Sequence, residues 1–167
     1  MQAVLSRFGM YLRRRRHTGG FGVHSPFAFR FITEVLNQRH QYYSYEYLSP
    51  AGHMRTVFRI CLALKPATVA IFEGLEGYRA AVEAACPSAK IVSADKADLI
   101  VARHSDSRLC EYACNGRHLI AIGKPGLAWR NACKSLPYGM TFTSPSIAVA
   151  VALKHLPRQD FFPYIRQ

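Results

Sequence analysis

From residue 67 to the end, the hydrophobic period switches every few residues, and this alternation limits the fold more than any other feature. Thr68–Phe72 is a short apolar run of strand type. Gly77–Cys86 is Ala-rich and helical, and Pro87 stops it. Lys90–Ala94 and Asp98–Ala102 read as strands, Asp106–Cys114 as a helix ended by Asn115-Gly116, and His118–Ile122 as a strand. Gly126–Ser135 is helical up to Leu136-Pro137. Met140–Thr143 and Ile147–Leu153 are two strands around the tight turn Ser144-Pro145-Ser146, a spacing that predicts an antiparallel pair. Strands alternating with helices predict an α/β fold: a mostly parallel sheet with helices on both faces and a C-terminal antiparallel hairpin.

Two segments precede this region. In residues 1–22, Val4, Leu5, Phe8 and Leu12 share one helical face, Arg13-Arg14-Arg15-Arg16 follow, and His17-Thr18-Gly19-Gly20 breaks the pattern. These residues are expected as a loosely attached basic arm. Residues 23–66 are expected as a helical extension packed on the α/β domain of residues 67–167. Ser25-Pro26 predicts a helix start, with a hydroxyl cap and a proline at a position where no N–H is needed. That helix is expected over residues 26–38, and a second over 52–64, stopped by Pro66. Tyr42-Tyr43-Ser44-Tyr45-Glu46-Tyr47 lies between them.

Charge bears on partners rather than on fold. Lys plus Arg number 22 against 10 Asp plus Glu, a net +12. Residues 1–60 carry nine basic residues against Glu34 and Glu46. The arginine run beside an apolar helical face suits an anionic membrane surface or nucleic acid. The alternative is a solvated arm. Half the residues are hydrophobic, so the chain can bury a core and is not globally disordered. The longest apolar run, Ile147–Leu153, is far too short to span a bilayer. Five cysteines without a Cys-x-x-Cys pair argue for reduced thiols and against structural zinc. Cys110 and Cys114 are expected to pack one helix face. The chain is therefore expected in the cytoplasm, with peripheral membrane contact open to it.

Gly22-Val23-His24-Ser25-Pro26-Phe27, the Tyr-rich segment and the tail Arg158-Gln159-Asp160-Phe161 carry a resemblance. Together with the sheet pattern, the chain resembles class I S-adenosylmethionine-dependent methyltransferases, in particular small methyltransferase-like proteins of the Bacteroidota. The resemblance spans nearly the whole chain and implies a Rossmann-like fold. It implies that Glu73, Gly74 and Gly77 line the cofactor loop after the first strand, and that Asp95 ends the second strand and binds the ribose hydroxyls. His104, after the central strand, is the best available general base.

The departures from that pattern are specific. The loop Glu73-Gly74-Leu75-Glu76-Gly77 is short, and Glu76 adds a carboxylate where the cofactor carboxylate would approach. Asp98 follows Asp95 so closely that a strand and its flanking helices are expected to be missing. Arg103 stands near the point where many small O-methyltransferases carry an Asp, and a guanidinium neither binds Mg²⁺ nor accepts a proton. Each candidate also has a plain structural reading: a strand–helix turn for Gly74 and Gly77, a turn cap for Asp95, a polar loop residue for His104. Two functions follow. One is methyl transfer from S-adenosylmethionine to an oxygen or nitrogen acceptor, an in-line displacement that needs mainly positioning. The other is a catalytically degenerate methyltransferase fold that serves as a binding module, with Arg13, Arg14, Arg15 and Arg16 on an anionic partner. Any cofactor pocket is expected at the carboxyl ends of the first strands.

Overall fold

A computed structural model describes residues 23–48 and 53–165; the arginine run and the arm of residues 1–22 lie outside them. Seven strands form one sheet. They are β1 (Thr68–Ile71), β2 (Lys90–Ile91), β3 (Leu99–Arg103), β4 (His118–Ile122), β5 (Met140–Thr143), β6 (Ile147–Val151) and β7 (Gln159–Phe161). Their order across the sheet is β2-β1-β3-β4-β6-β5-β7. Pairing is parallel from β2 through β4, antiparallel on both sides of β6, and parallel again between β5 and β7. The α/β class, the mostly parallel sheet and the hairpin are as the sequence predicts. The hairpin does not close the sheet, however. The tail adds β7 outside β5, with Met140 opposite Gln159 and Phe142 opposite Phe161.

Side-chain size sorts the two faces of the sheet. Strand residues alternate direction, so neighbours in sequence enter different cores. Val69, Leu99, Val101, Ile120, Phe142, Val149 and Val151 face one side. Ala70, Ala102, Ala121, Ala148 and Ala150 face the other, with Ile100 and Leu119 the large strand residues among them. The alanine face lets α4 (Leu109–Cys114) and α5 (Leu127–Ser135) approach closely, with Trp129 fully buried between helix and sheet. Its indole N–H, which burial would otherwise leave unsatisfied, donates to Thr143 Oγ1 at 2.9 Å. Cys110 Sγ lies 2.9 Å from Ser135 Oγ across the α4–α5 contact, while Cys114 is exposed.

The large-residue face is covered by α1 (Pro26–Arg30), α2 (Met54–Leu64) and α3 (Arg79–Ala85). Ala28, Phe31, Ile32, Leu36, Phe58 and Ile60 thus belong to the same core as β1 and β3, and residues 23–64 are a layer of this fold. Ser25 caps α1, its Oγ accepting from Ala28 N–H at 3.3 Å, with Pro26 at the first position. The predicted helix over 26–38 is shorter and differently wound. After Arg30 it widens to π-helix over Phe31–Leu36, closed by Asn37 N–H to Ile32 C=O. α2 ends at Lys65, whose left-handed backbone (φ 49°) precedes Pro66.

Other predicted boundaries shift too, by one or two residues at ends of β1, β3, β6 and α5 and at three further places. β2 is Lys90–Ile91 rather than Lys90–Ala94, and Ala94–Lys96 is a 3₁₀ turn. Glu76–Tyr78 is a 3₁₀ turn leading into α3. α4 starts at Leu109. Among the described residues no helix is long and apolar enough to cross a membrane.

Candidate functional site

The strand order fixes where a site can form. The chain leaves β1 toward β2 on one side and returns to β3 on the other, so the crevice opens at the carboxyl ends of β1 and β3. Two loops meet there: residues 72–78 after β1, and residues 103–108 after β3.

The first loop is a tight turn, closed by Leu75 N–H to Phe72 C=O at 3.0 Å and pinned by buried Leu75. Gly74 sits at its third position with φ +76°, a conformation that L-residues other than glycine rarely adopt. Its N–H donates to Glu76 Oε1 at 2.9 Å, and its C=O accepts from Arg103 Nη2 at 3.3 Å. The guanidinium lies so close that a Cβ on residue 74 would fall 2.8 Å from Nη2. Glu76 is held below the ordinary carboxylate range, first by its own backbone N–H, then by that of Gly74, with Arg103 adding to the effect. Gly77 has no such role: a Cβ there would meet nothing within 4 Å. Glu73, at the second position of the turn, is exposed.

Arg103 ends β3 and His104 follows it, and their side chains diverge as those of consecutive extended residues do. Arg103 goes to Gly74. The His104 ring packs on the loop between β4 and α5, where Cβ atoms on Gly123 and Gly126 would lie 2.7 Å and 3.9 Å from it. The β4–α5 loop therefore carries glycines for close approach, a role the sequence reading did not assign. Next to this loop, Gly123 N–H bonds Ser146 C=O at 2.8 Å, and Ser146 Oγ lies 2.9 Å from Nε2 of buried His53. Burial lowers the His53 pKa and favours its neutral imidazole. Tyr78 completes this edge; burial raises its pKa against opposing contributions from the His53 backbone and Arg103. The structure thus gathers His53, Tyr78 and Ser146 where the sequence reading named only His104. Their spacing of more than ninety residues between His53 and Ser146 left no local signal.

Asp95 is elsewhere. Because β2 ends at Ile91, the chain turns back early, and Thr68 Oγ1 donates to Lys96 C=O beside the amino end of β1. Arg117, which leads into the amino end of β4, donates to Asp95 C=O at 3.0 Å. The exposed Asp95 carboxyl is held low by Ser93, its own backbone N–H, Lys96 and Arg117. The Asp95 carboxyl also acts electrostatically on Tyr112, whose ring centroid lies 6.0 Å from that of Phe72 at the start of the Gly74 turn, but it forms no hydrogen bond with that turn among the described residues. The structure brings Gly74, Glu76 and Arg103 together and leaves Asp95 outside that group.

A cavity of about 580 Å³ lies between α1, its π-helical continuation and the end of α2, lined by Phe27, Phe31, Val35, Leu64 and Leu153. Leu64 and Leu153 place it toward the amino ends of the parallel strands, away from the Gly74 loop. Among the described residues no group of three or more His, Cys, Asp or Glu side chains is gathered as metal ligands.

Next to the crevice, the Arg108 guanidinium lies 4.5 Å from the centroid of the Phe72 ring and pairs with Asp106 at 3.1 Å. Burial works to raise the Asp106 pKa, but hydrogen bonds from Arg108 outweigh it and the net shift is downward. That pair and Arg79–Glu83 are the ion pairs among the described residues. Exposed Arg39, Lys65, Lys90, Lys124, Arg130, Lys134 and Lys154 therefore face solvent without a carboxylate partner among those residues. Comparison with protein-family models, with curated proteins and with solved structures finds no match to this chain.

Proposed function

We propose that this protein is a methyltransferase-like α/β fold that works as a non-catalytic binding module for a polyanionic, phosphate-bearing partner. The observation that carries the reading is the Gly74 turn. Its N–H is taken by Glu76 and its C=O by Arg103, so the backbone that would receive the cofactor's methionine end is satisfied by the chain itself. A carboxylate arriving there meets Glu76, and like charges in a shared site disfavour each other. Asp95, the candidate for the ribose, lies in the 3₁₀ turn after β2, with its main-chain carbonyl on Arg117. His104, the candidate base, packs on Gly123 and Gly126. The strand order, with its crevice between β1 and β3, supports a Rossmann-like ancestry for the scaffold.

The charge supports the partner class. A net +12 with two ion pairs among the described residues presents an excess of unneutralised cations. Such a surface attracts phosphates without reading sequence, and the attraction weakens with salt.

Calorimetry with S-adenosylmethionine and S-adenosylhomocysteine tests the first half. No heat and no thermal shift at millimolar ligand are expected; micromolar binding would restore the enzyme reading, with Glu73, Gly74 and Gly77 at the cofactor. Binding to phosphatidylserine vesicles and to oligonucleotides at low salt tests the second half. Replacing Arg13, Arg14, Arg15 and Arg16 together with Gln should weaken whichever binding is found, and the difference should shrink as salt rises. A parent that binds neither would end the polyanion reading.

A further inference from the structure

The six-residue run from Tyr42 to Tyr47 divides its aromatic rings between two jobs. Two of them build the turn. Tyr45 is buried, and Tyr42 and Tyr45 pack on each other and on Phe58 with ring centroids 5.2–5.6 Å apart. Tyr42 O–H donates to Gln38 Oε1 at 2.7 Å, and the Tyr45 hydroxyl accepts from Arg59 Nη1 at 2.9 Å. The Arg55 guanidinium lies 4.9 Å from the Tyr45 ring centroid. The 3₁₀ turn Tyr43–Glu46 is therefore held from below.

The other two rings are held out. Tyr43 is 75% exposed and Tyr47 is 72% exposed, although a tyrosine ring left in water contributes no burial to stability. They form an edge-to-face pair with centroids 6.0 Å apart. Exposed Arg39 and His40 precede them in the chain, and Glu46 lies between them.

We propose that Tyr43 and Tyr47 form a stacking platform for the bases of a single-stranded nucleic acid, with exposed cations of this basic chain, Arg39 first among them, on its phosphates. The inference rests on the polyanion reading above and names the partner. Phosphates alone need cations, and nothing in that requirement calls for exposed rings. Unpaired bases present π-faces that stack on aromatic side chains whatever their sequence. An anionic bilayer fits less well, because its grip adds buried apolar area to charge, and the exposed neighbours of the two rings in the chain, Arg39, His40, Gln41 and Glu46, are all polar. A single strand can lay its bases on the rings, and exposed Arg39, four residues before Tyr43, offers its phosphates a cation.

The test is fluorescence anisotropy with labelled oligo-uridine and oligo-thymidine, a duplex control, and vesicles of phosphatidylserine and phosphatidylcholine. Tyr43 and Tyr47 are replaced singly and together by Leu and by Phe, with circular dichroism confirming the fold. The Leu variants should weaken single-strand binding about tenfold per ring, and the Phe variants should bind as the parent does. The salt slope should stay the same in all of them, since no cation is removed. Three results would overturn the proposal: double Leu variants that bind single strands as the parent does, a duplex that binds as tightly as single strands, or a parent that binds vesicles but no strand. The last would leave the polyanion reading intact. Binding of S-adenosylmethionine would instead strike at the non-catalytic reading and leave the platform standing.

Discussion

The helical layer of residues 23–64 and the loops at the carboxyl ends of the strands each set an arginine against main-chain carbonyls, under opposite conditions. Arg59 is 7% exposed and spends its guanidinium on four partners: Val35 C=O at 2.6 Å, Leu36 C=O at 3.0 Å, Tyr45 O–H at 2.9 Å and Thr56 Oγ1 at 3.2 Å. No carboxylate is among them. The charge is accommodated by the carbonyl end of the π-helix, where the helix leaves acceptors unfilled and its dipole favours a cation. Arg103 is exposed and makes one side-chain hydrogen bond among the described residues, of 3.3 Å to Gly74 C=O. A buried, fully engaged arginine is part of the structure; an exposed one on a glycine turn decides what else can approach that turn.

The comparison breaks most decisively at Arg59. Arg59→Met should destabilise the fold by about 2–4 kcal/mol, because two carbonyls and a tyrosine hydroxyl lose a charged donor in a buried site. Urea denaturation measures it, and a loss below 1 kcal/mol would mean that water replaces the guanidinium at little cost. Gly74→Ala should follow at about 1–2 kcal/mol, from the left-handed backbone rather than from lost contacts. Gly77→Ala in the same loop, with open space around it, is the matched control and should be nearly neutral. Ser25→Ala should cost about 1 kcal/mol through the lost cap of α1.

A smaller effect is pH dependence. His53 and His118 both have pKa values lowered by burial from 6.5, and His118 Nδ1 accepts from Ala152 N–H at 3.0 Å, which requires an unprotonated nitrogen. Below about pH 6.5 the unfolded chain binds more protons at these sites than the folded one. Stability should therefore be level above neutrality and fall as pH drops through 6.5 toward the folded values. His118→Asn keeps an acceptor without the titration and should flatten that fall; an unchanged slope would remove His118 from the account. The smallest expected effect is Arg103→Ala, which should leave the urea midpoint unmoved while freeing Gly74 C=O. If that variant gains affinity for S-adenosylmethionine, the guanidinium is what closes the crevice. If it gains none, Glu76 or the displaced Asp95 suffices.

Much of the fold was legible because its signals are local. The alternation of periods placed all the strands but the last, and Ser25-Pro26 marked the first helix. The tail strand Gln159–Phe161 was not legible. Three residues with one charge carry no period, and only the register with Met140–Phe142 makes them a strand. The site was legible as a loop and not as a constellation. Gly74 and Gly77 look alike in sequence, yet one adopts positive φ beneath a guanidinium and the other borders open space.

Residue order alone settled which segments alternate direction, which turns are tight and that the chain carries an excess of cations. Those properties depend on neighbours within a few positions. Three decisions waited for the sheet to assemble: Arg103 on Gly74, Asp95 turned back toward Arg117, and His53 beside Ser146. Each joins residues from 22 to 93 positions apart. Parallel pairing of short strands sets which loop ends share an edge, and ending β2 at Ile91 puts Asp95 in a 3₁₀ turn, with its carbonyl on Arg117. No periodicity in the chain records where a strand stops pairing, because that point is set by the partner strand.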